Sequence, residues 1–131
     1  MAIKSMTLLT GATITPTGGT AQTFVPDGVD IPGGIHVADG GQPDFRLREH
    51  TTYRTRNPRL VNGKYVKAKR WISHVIPCTD ADGNIDFVVI RNEIEYPPHF
   101  SAANLVDARK KGAQLYIDAD LDSYYSIGDL S

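Results

Sequence analysis

Between residues 45 and 77 the chain reads FRLREHTTYRTRNPRLVNGKYVKAKRWISHVIP, and it alternates with a period of two. Successive side chains of a β-strand point to opposite faces, so this period commits the stretch to strands. Arg46, Arg48, His50, Thr52, Arg54 and Arg56 share one parity. Phe45, Leu47, Thr51 and Tyr53 share the other, with Glu49 as the exception. Asn57-Pro58 interrupts the strand, and Asn62-Gly63 is a turn dipeptide that sends it back. On the return, Lys67, Lys69 and Trp71 lie on one parity. Val66, Ala68, Ile72 and Ile76 lie on the other, interrupted by Arg70 and His74. The reading is a pair of long strands with one basic face and one mainly apolar face. Nine of the 14 Lys and Arg residues fall between Arg46 and Arg70, against the single acid Glu49. Positive charge gathered on one sheet face is the footprint of a polyanionic partner.

The formal net charge of −1 hides this patch, because residues 107–131 hold five Asp against three Arg and Lys. A chain of 131 residues suits a single domain, 1–131, with one core. One cysteine, Cys78, excludes an intrachain disulfide and a cysteine metal cluster, and fits a reducing compartment. No apolar run approaches the ~20 residues of a membrane helix. The start, MAIKSMTLLTGATIT, lacks the pattern of a secretory signal, so a soluble cytoplasmic product with no membrane partner is expected.

Residues 6–23 read as a first hairpin, with a turn at Thr17-Gly18-Gly19-Thr20 and a short second strand over 20–25. PDGVDIP, 26–32, is a loop, and a short strand follows over 35–38. Asp39-Gly40-Gly41 turns the chain into the basic strand at Pro43. CTDADGN, 78–84, joins the second long strand to a third over 85–96. There Val88, Ile90, Ile94 and Tyr96 share one parity, and Val89, Arg91, Glu93 and Glu95 the other, as in a sheet packed on one face only.

Pro97-Pro98 stops the sheet. Ser101 is the expected N-cap of a helix to about Lys111, with Gly112 closing it. A second helix is expected over about 114–127, where Leu121, Tyr124, Tyr125 and Gly128 form one stripe. Helices that all follow the strands argue for an α+β fold: an N-terminal hairpin over 1–25, a main sheet of about five antiparallel strands over 33–97, and helices over 100–128 covering one sheet face. The basic face stays bare.

This order resembles the coat proteins of the single-stranded RNA bacteriophages, the levivirus type, over nearly the whole chain. The resemblance rests on the hairpin, the GGIHVAD strand, and two basic strands with the Asn62–Tyr65 segment opening the second. The third strand ending in Pro and the two late helices complete it. It implies an obligate homodimer with interlocked helices, icosahedral self-assembly, and single-stranded RNA held on the inward sheet face. It also implies a virion location after assembly in the bacterial cytoplasm, a phage maturation protein as a further partner, and translational repression through a hairpin at the replicase start. Carried over by position, the RNA-binding residues are Arg48, His50, Thr52, Arg54, Lys67, Lys69, Arg91 and Glu93. Lys and Arg meet phosphates, while Thr and His bond base edges. Members with a defined hairpin target carry a third-strand Tyr that stacks on a base. Here Val89, Arg91 and Glu93 stand at that parity, so general RNA binding is better supported than one hairpin.

Blander readings stand beside these. The basic strands also fit a solvated face paired with Glu49, Glu93 and Glu95. Trp71 fits either a base or a gap at a subunit interface. Cys78 reads as a free thiol. Asp80, Asp82 and Asp86 fail the EF-hand spacing and read as a polar turn, so no metal or cofactor is expected. His36, His50, His74 and His99 accompany no nucleophile motif and read as structural or surface histidines, with a small enzyme using one of them as a further alternative. A non-viral dimeric RNA-binding α+β module remains the alternative.

Overall fold

The computed structural model describes residues 6–129. They divide into two compact units: Gly19–Pro98, and the residues up to Gly18 together with those from His99 onward.

In the first unit the strands are β1 (Phe24–Pro26), β2 (Gly34–Asp39), β3 (His50–Arg56), β4 (Arg59–Val61), β5 (Lys64–Val66), β6 (Ala68–Thr79) and β7 (Ile85–Tyr96). Five of them form one antiparallel sheet in the order β1-β2-β3-β6-β7, while β4 and β5 form a separate two-stranded hairpin. The hairpin turns at Asn62 and Gly63, with φ of 50° and 76°. Positive φ at both central residues is the two-residue turn whose twist matches the flanking strands. That turn sets a single count. Leu60 faces Tyr65 in the hairpin, and Arg56 faces Lys69 and His50 faces Val75 in the sheet, each the same number of steps from the turn.

Directly opposed residues of antiparallel strands share a face. The register therefore collects Ile35, Val37, Tyr53, Ile72, Ile76, Val88, Ile90, Ile94 and Tyr96 on one face. It is apolar, as expected, yet open: Ile35 is 61% and Val88 50% exposed. Only Ala38, Ala68 and Leu121 are buried apolar residues, and no large side chain is fully buried among the described residues. On this apolar face Thr51, 6% exposed, contacts His74 at 2.6 Å, and His74 reaches Glu49 at 3.0 Å. Phe24 meets the His74 ring edge-on.

Three expected elements differ. The first basic strand begins at His50, because Phe45–Leu47 is a 3-10 turn. Asp44 caps it, accepting from the Arg46 backbone N–H at 3.0 Å, the local bond by which Asp competes with a strand ladder. Residues 6–23 hold no strand, so the expected first hairpin is not formed there. Glycines 11, 18 and 19 all take positive φ, which breaks an extended run. The backbone of Leu9 instead bonds the Gln114 side chain in both directions, at 2.8 Å each, and Gly11 N–H donates to Asp107.

In the second unit α1 (Ala102–Ile117) starts at the expected cap, with Ser101 Oγ accepting from Asn104 N–H at 3.2 Å. It runs through Gly112 and ends at Asp118 instead. A mid-helix glycine costs about 1 kcal/mol relative to alanine, less than the several hydrogen bonds gained by continuing. Asp118 ends the helix because its carboxylate accepts from Asp120 N–H at 2.9 Å and opens a 3-10 turn, Ala119–Leu121. The last helix, α2 (Asp122–Ile127), begins later than the expected residue 114, because residues 114–117 still belong to α1, and it closes on Gly128 in the left-handed region. Tyr116 and Tyr125 stack at 5.9 Å, and Tyr125 Oη donates to the Leu115 carbonyl.

Candidate nucleic-acid interface

The other face of the sheet is built from cross-strand rows. Arg54, Trp71 and Glu93 form one row, and Thr52, Ser73 and Arg91 the next, with His36 beyond Thr52 on β2. Arg56, Lys69 and Glu95 form the row nearest the hairpin. His50, Val75 and Val89 form the row on the far side. Thr52, Arg54, Trp71, Ser73, Arg91 and Glu93 line a shallow hollow in this surface. Of the eight expected contact residues, His50, Thr52, Arg54, Lys69, Arg91 and Glu93 thus share one face.

Two do not sit on the sheet. Arg48 follows the 3-10 turn, and its Nε donates to the Gln42 carbonyl at 2.6 Å. Lys67 lies in the break between β5 and β6, exposed, where its carbonyl accepts from Arg56.

The face is also less basic than its sequence suggests, because several cations are committed to the protein. Arg46 grips Asp44 through Nε and Nη2, and that bond holds the Asp44 carboxyl below its ordinary range. Arg70 lies on the apolar face and clamps the strand junction, donating to the Arg56 carbonyl at 2.8 Å and to Asn57 Oδ1. Lys69 bonds Glu93 at 2.8 Å, which lowers the Glu93 pKa, and it lies 4.9 Å from the centre of the Trp71 ring. Arg54, Arg59, Lys64 and Lys67 make no side-chain hydrogen bond or ion pair among the described residues, which leaves their charge available. Uncommitted charge is thus found at Arg54 on the sheet and toward the hairpin.

Three residues on this face escaped the sequence reading. His36 packs beside His50 with ring centres 5.1 Å apart, and holds Asp27 at 2.9 Å. That bond keeps the Asp27 carboxyl below its ordinary value. Ser73 faces Thr52, so two hydroxyl residues stand side by side. Phe87 faces Pro77 and is the aromatic that β7 brings to this face, at its far end. Extending the strand parity along β2, β6 and β7 finds all of them. The loop after β6 is a polar turn: Asp80 Oδ1 accepts from the backbone of Asp82 and Asn84 at 2.9 Å each. No metal-binding group occurs among the described residues, and Cys78 is a free, exposed thiol.

The chain matches no protein-family model and no curated protein. Solved structures do match. The virus-like particle of bacteriophage GQ-907 is 36% identical, with a TM-score of 0.88 and 98% of each chain covered. The virus-like particle of Beihai levi-like virus 21 is 17% identical at TM-score 0.67, covering 88% of this chain and 93% of that one. The virus-like particle of bacteriophage ESE058 is 15% identical at TM-score 0.66, covering 84% and 87%. The last two share the fold.

Proposed function

This chain belongs to the coat proteins of the single-stranded RNA bacteriophages, and from that premise we propose that it assembles into a capsid whose inner wall packages single-stranded RNA. Its role is structural, not enzymatic. The observation that carries the RNA reading is the register, which gathers Arg54, Lys69, Trp71 and Arg91 on one face and the apolar residues on the other. Guanidinium and ammonium groups neutralise phosphates, and the Thr52–Ser73 row offers hydroxyls to base edges.

The second element of the proposal is an obligate dimer, with the helices of one copy on the apolar sheet face of another. In a single copy that face is open, with Ile35 61% and Val88 50% exposed, and a contiguous apolar surface of this kind calls for a cover. The whole chain acts as one coat-protein domain, assembled in the bacterial cytoplasm and located in the virion. A maturation protein is a further partner in this reading. Repression through one RNA hairpin has less support, since Val89, Arg91 and Glu93 supply no aromatic in the middle of β7.

Electron microscopy of the purified recombinant protein tests assembly. Closed particles of uniform size containing host RNA are expected, and a small species under every buffer condition would sink the reading. Arg54→Glu with Lys67→Glu tests the face: RNA per particle falls while the building block persists. Unchanged RNA content means that the face is wrongly assigned.

A further inference from the structure

Glu49, Thr51 and His74 set a carboxylate, a hydroxyl and an imidazole into the face that the proposed second copy covers. Thr51 is buried, yet His74 and Glu49 keep 24% and 26% of their side-chain surface in water. Most of their surroundings are apolar. Val37 of β2 faces Thr51, Ile90 of β7 faces His74, and Phe24 of β1 meets the imidazole edge-on. On β6 the flanking residues of this face are Ile72 and Ile76. The Glu49 side chain bonds His74 alone among the described residues. Asp39 adds a second acid to this face: its N–H donates to the Glu49 carbonyl at 2.8 Å, and its carboxylate accepts from Gln22 and from Gly41 N–H. The cations on this side are committed elsewhere, Arg48 to the Gln42 carbonyl and Arg70 to the Arg56 carbonyl and Asn57. On the helices that would form the cover, Asp107 and Lys111 pair with each other, while Val106, Leu115, Ile117 and Ile127 stand exposed.

From this we infer that covering the face draws one proton from solvent onto each copy's His74–Glu49 pair, so that association of copies weakens as pH rises. The inference rests on the dimer reading and adds a control to it. With a neutral imidazole the group carries one negative charge, and an ionised carboxylate stripped of water without compensation is strongly disfavoured. With an imidazolium it is a net-neutral, hydrogen-bonded pair. Taking up the proton needs no rearrangement. Nε2 already lies 3.0 Å from Glu49, and the Thr51 hydroxyl accepts from a protonated Nδ1 as readily as it donates to a bare one. The window lies above about pH 6.5, where an ordinary imidazole has given up its proton. The covered state holds the proton more tightly than the open one, so its contribution is complete below that window and is lost as pH rises through it.

The test uses the full-length protein below its assembly concentration. Sedimentation and the protein-concentration dependence of urea unfolding give the Kd of the dimer between about pH 6 and pH 8.5. Two sites, each binding one proton, raise Kd with pH by at most about a hundredfold per pH unit. Glu49→Gln keeps an acceptor for His74 and removes the charge. Its Kd is expected not to rise with pH and to lie below the parent's at about pH 8.5. Imidazole nitrogen shifts of the unaltered dimer are expected to show both His74 ring nitrogens protonated near neutral pH. This readout decides the matter even where Glu49→Gln fails to fold. A dimer whose Kd is flat with pH, or whose His74 is neutral throughout the window, overturns the proton uptake and leaves the dimer standing. A parental slope in Glu49→Gln places the protons on other groups and overturns it as well. If the protein stays monomeric at every concentration and pH, the dimer reading and this inference fail together.

Discussion

Thr51 Oγ1 lies 2.6 Å from His74 Nδ1 across the β3–β6 ladder, and the far nitrogen of His74 lies 3.0 Å from Glu49. A hydroxyl, an imidazole and a carboxylate are thereby tied together on an otherwise apolar face. Each polar atom in the chain is satisfied by its neighbour, and the set is specific to one register, because a slip of β6 by one residue turns His74 to the opposite face. Thr51→Val preserves the shape and orphans one ring nitrogen. A loss of about 1–3 kcal/mol in stability is expected, the cost of a buried polar group left without its bond. Urea unfolding at fixed protein concentration measures it, and parental stability would show that the network is decorative.

Asp27 organises the loop before β2, accepting from Val29 N–H and from His36. The His36 bond is the main cause of its lowered pKa. A depressed carboxyl pKa stabilises the fold above its unfolded value, near 3.8, and that contribution disappears as pH falls through the lower folded value. Amide exchange in residues 27–36, corrected for intrinsic rate, should accelerate below this pH and stay flat above it. Asp27→Asn should show fast exchange throughout.

Glycines 112 and 34 should respond oppositely to alanine. A Cβ at Gly112 meets nothing within 4 Å and the backbone there is helical, so Gly112→Ala should stabilise by about 1 kcal/mol. A Cβ at Gly34 collides with the Tyr53 carbonyl oxygen in the β2–β3 ladder. Thermal melts should rise for the first variant, while the second should yield little soluble protein.

Phosphate contacts reveal themselves through salt. Neutralising Arg54 by Arg54→Gln should weaken RNA binding across sequences and flatten the dependence of log affinity on log salt by about 0.7, the value for one phosphate on a single strand. A slope equal to the parent's would remove Arg54 from the phosphate-binding set.

Much of this was readable in advance, and for definite reasons. The Asn62-Gly63 dipeptide admits one turn geometry, and that turn propagates a register as far as His50 and Val75. The bounds of β7 were legible because Asp82-Gly83 and Pro97-Pro98 bracket it, and its second half puts Arg91, Glu93 and Glu95 on one parity. What escaped were local polar competitions. Asp44 captures the Arg46 amide and cuts the first strand short, and Asp118 captures the Asp120 amide and sets a helix end that glycine was expected to set. Charge availability was invisible too. Arg48 shares its parity with Arg54 on paper, yet it is consumed by the Gln42 carbonyl.

β7 is the last strand of the sheet, twelve residues long, and its outer edge has no strand paired to it among the described residues. An edge of that length is a template for another strand. If a second copy of β7 pairs there about a two-fold axis, symmetry leaves few choices, since only a residue that faces itself can mark the axis without turning one sheet over. With the axis on Asn92, Arg91 of each copy stands opposite Glu93 of the other, and Ile90 opposite Ile94. With the axis on Arg91 or Glu93, a charge meets its own image. The edge thus carries an arithmetic of its own, in which a palindrome of charge selects one alignment. Asn92→Cys should form a symmetric disulfide on mild oxidation, because opposed Cα atoms lie about 4.5–5.5 Å apart, within disulfide reach. The same substitution at Arg91 should not.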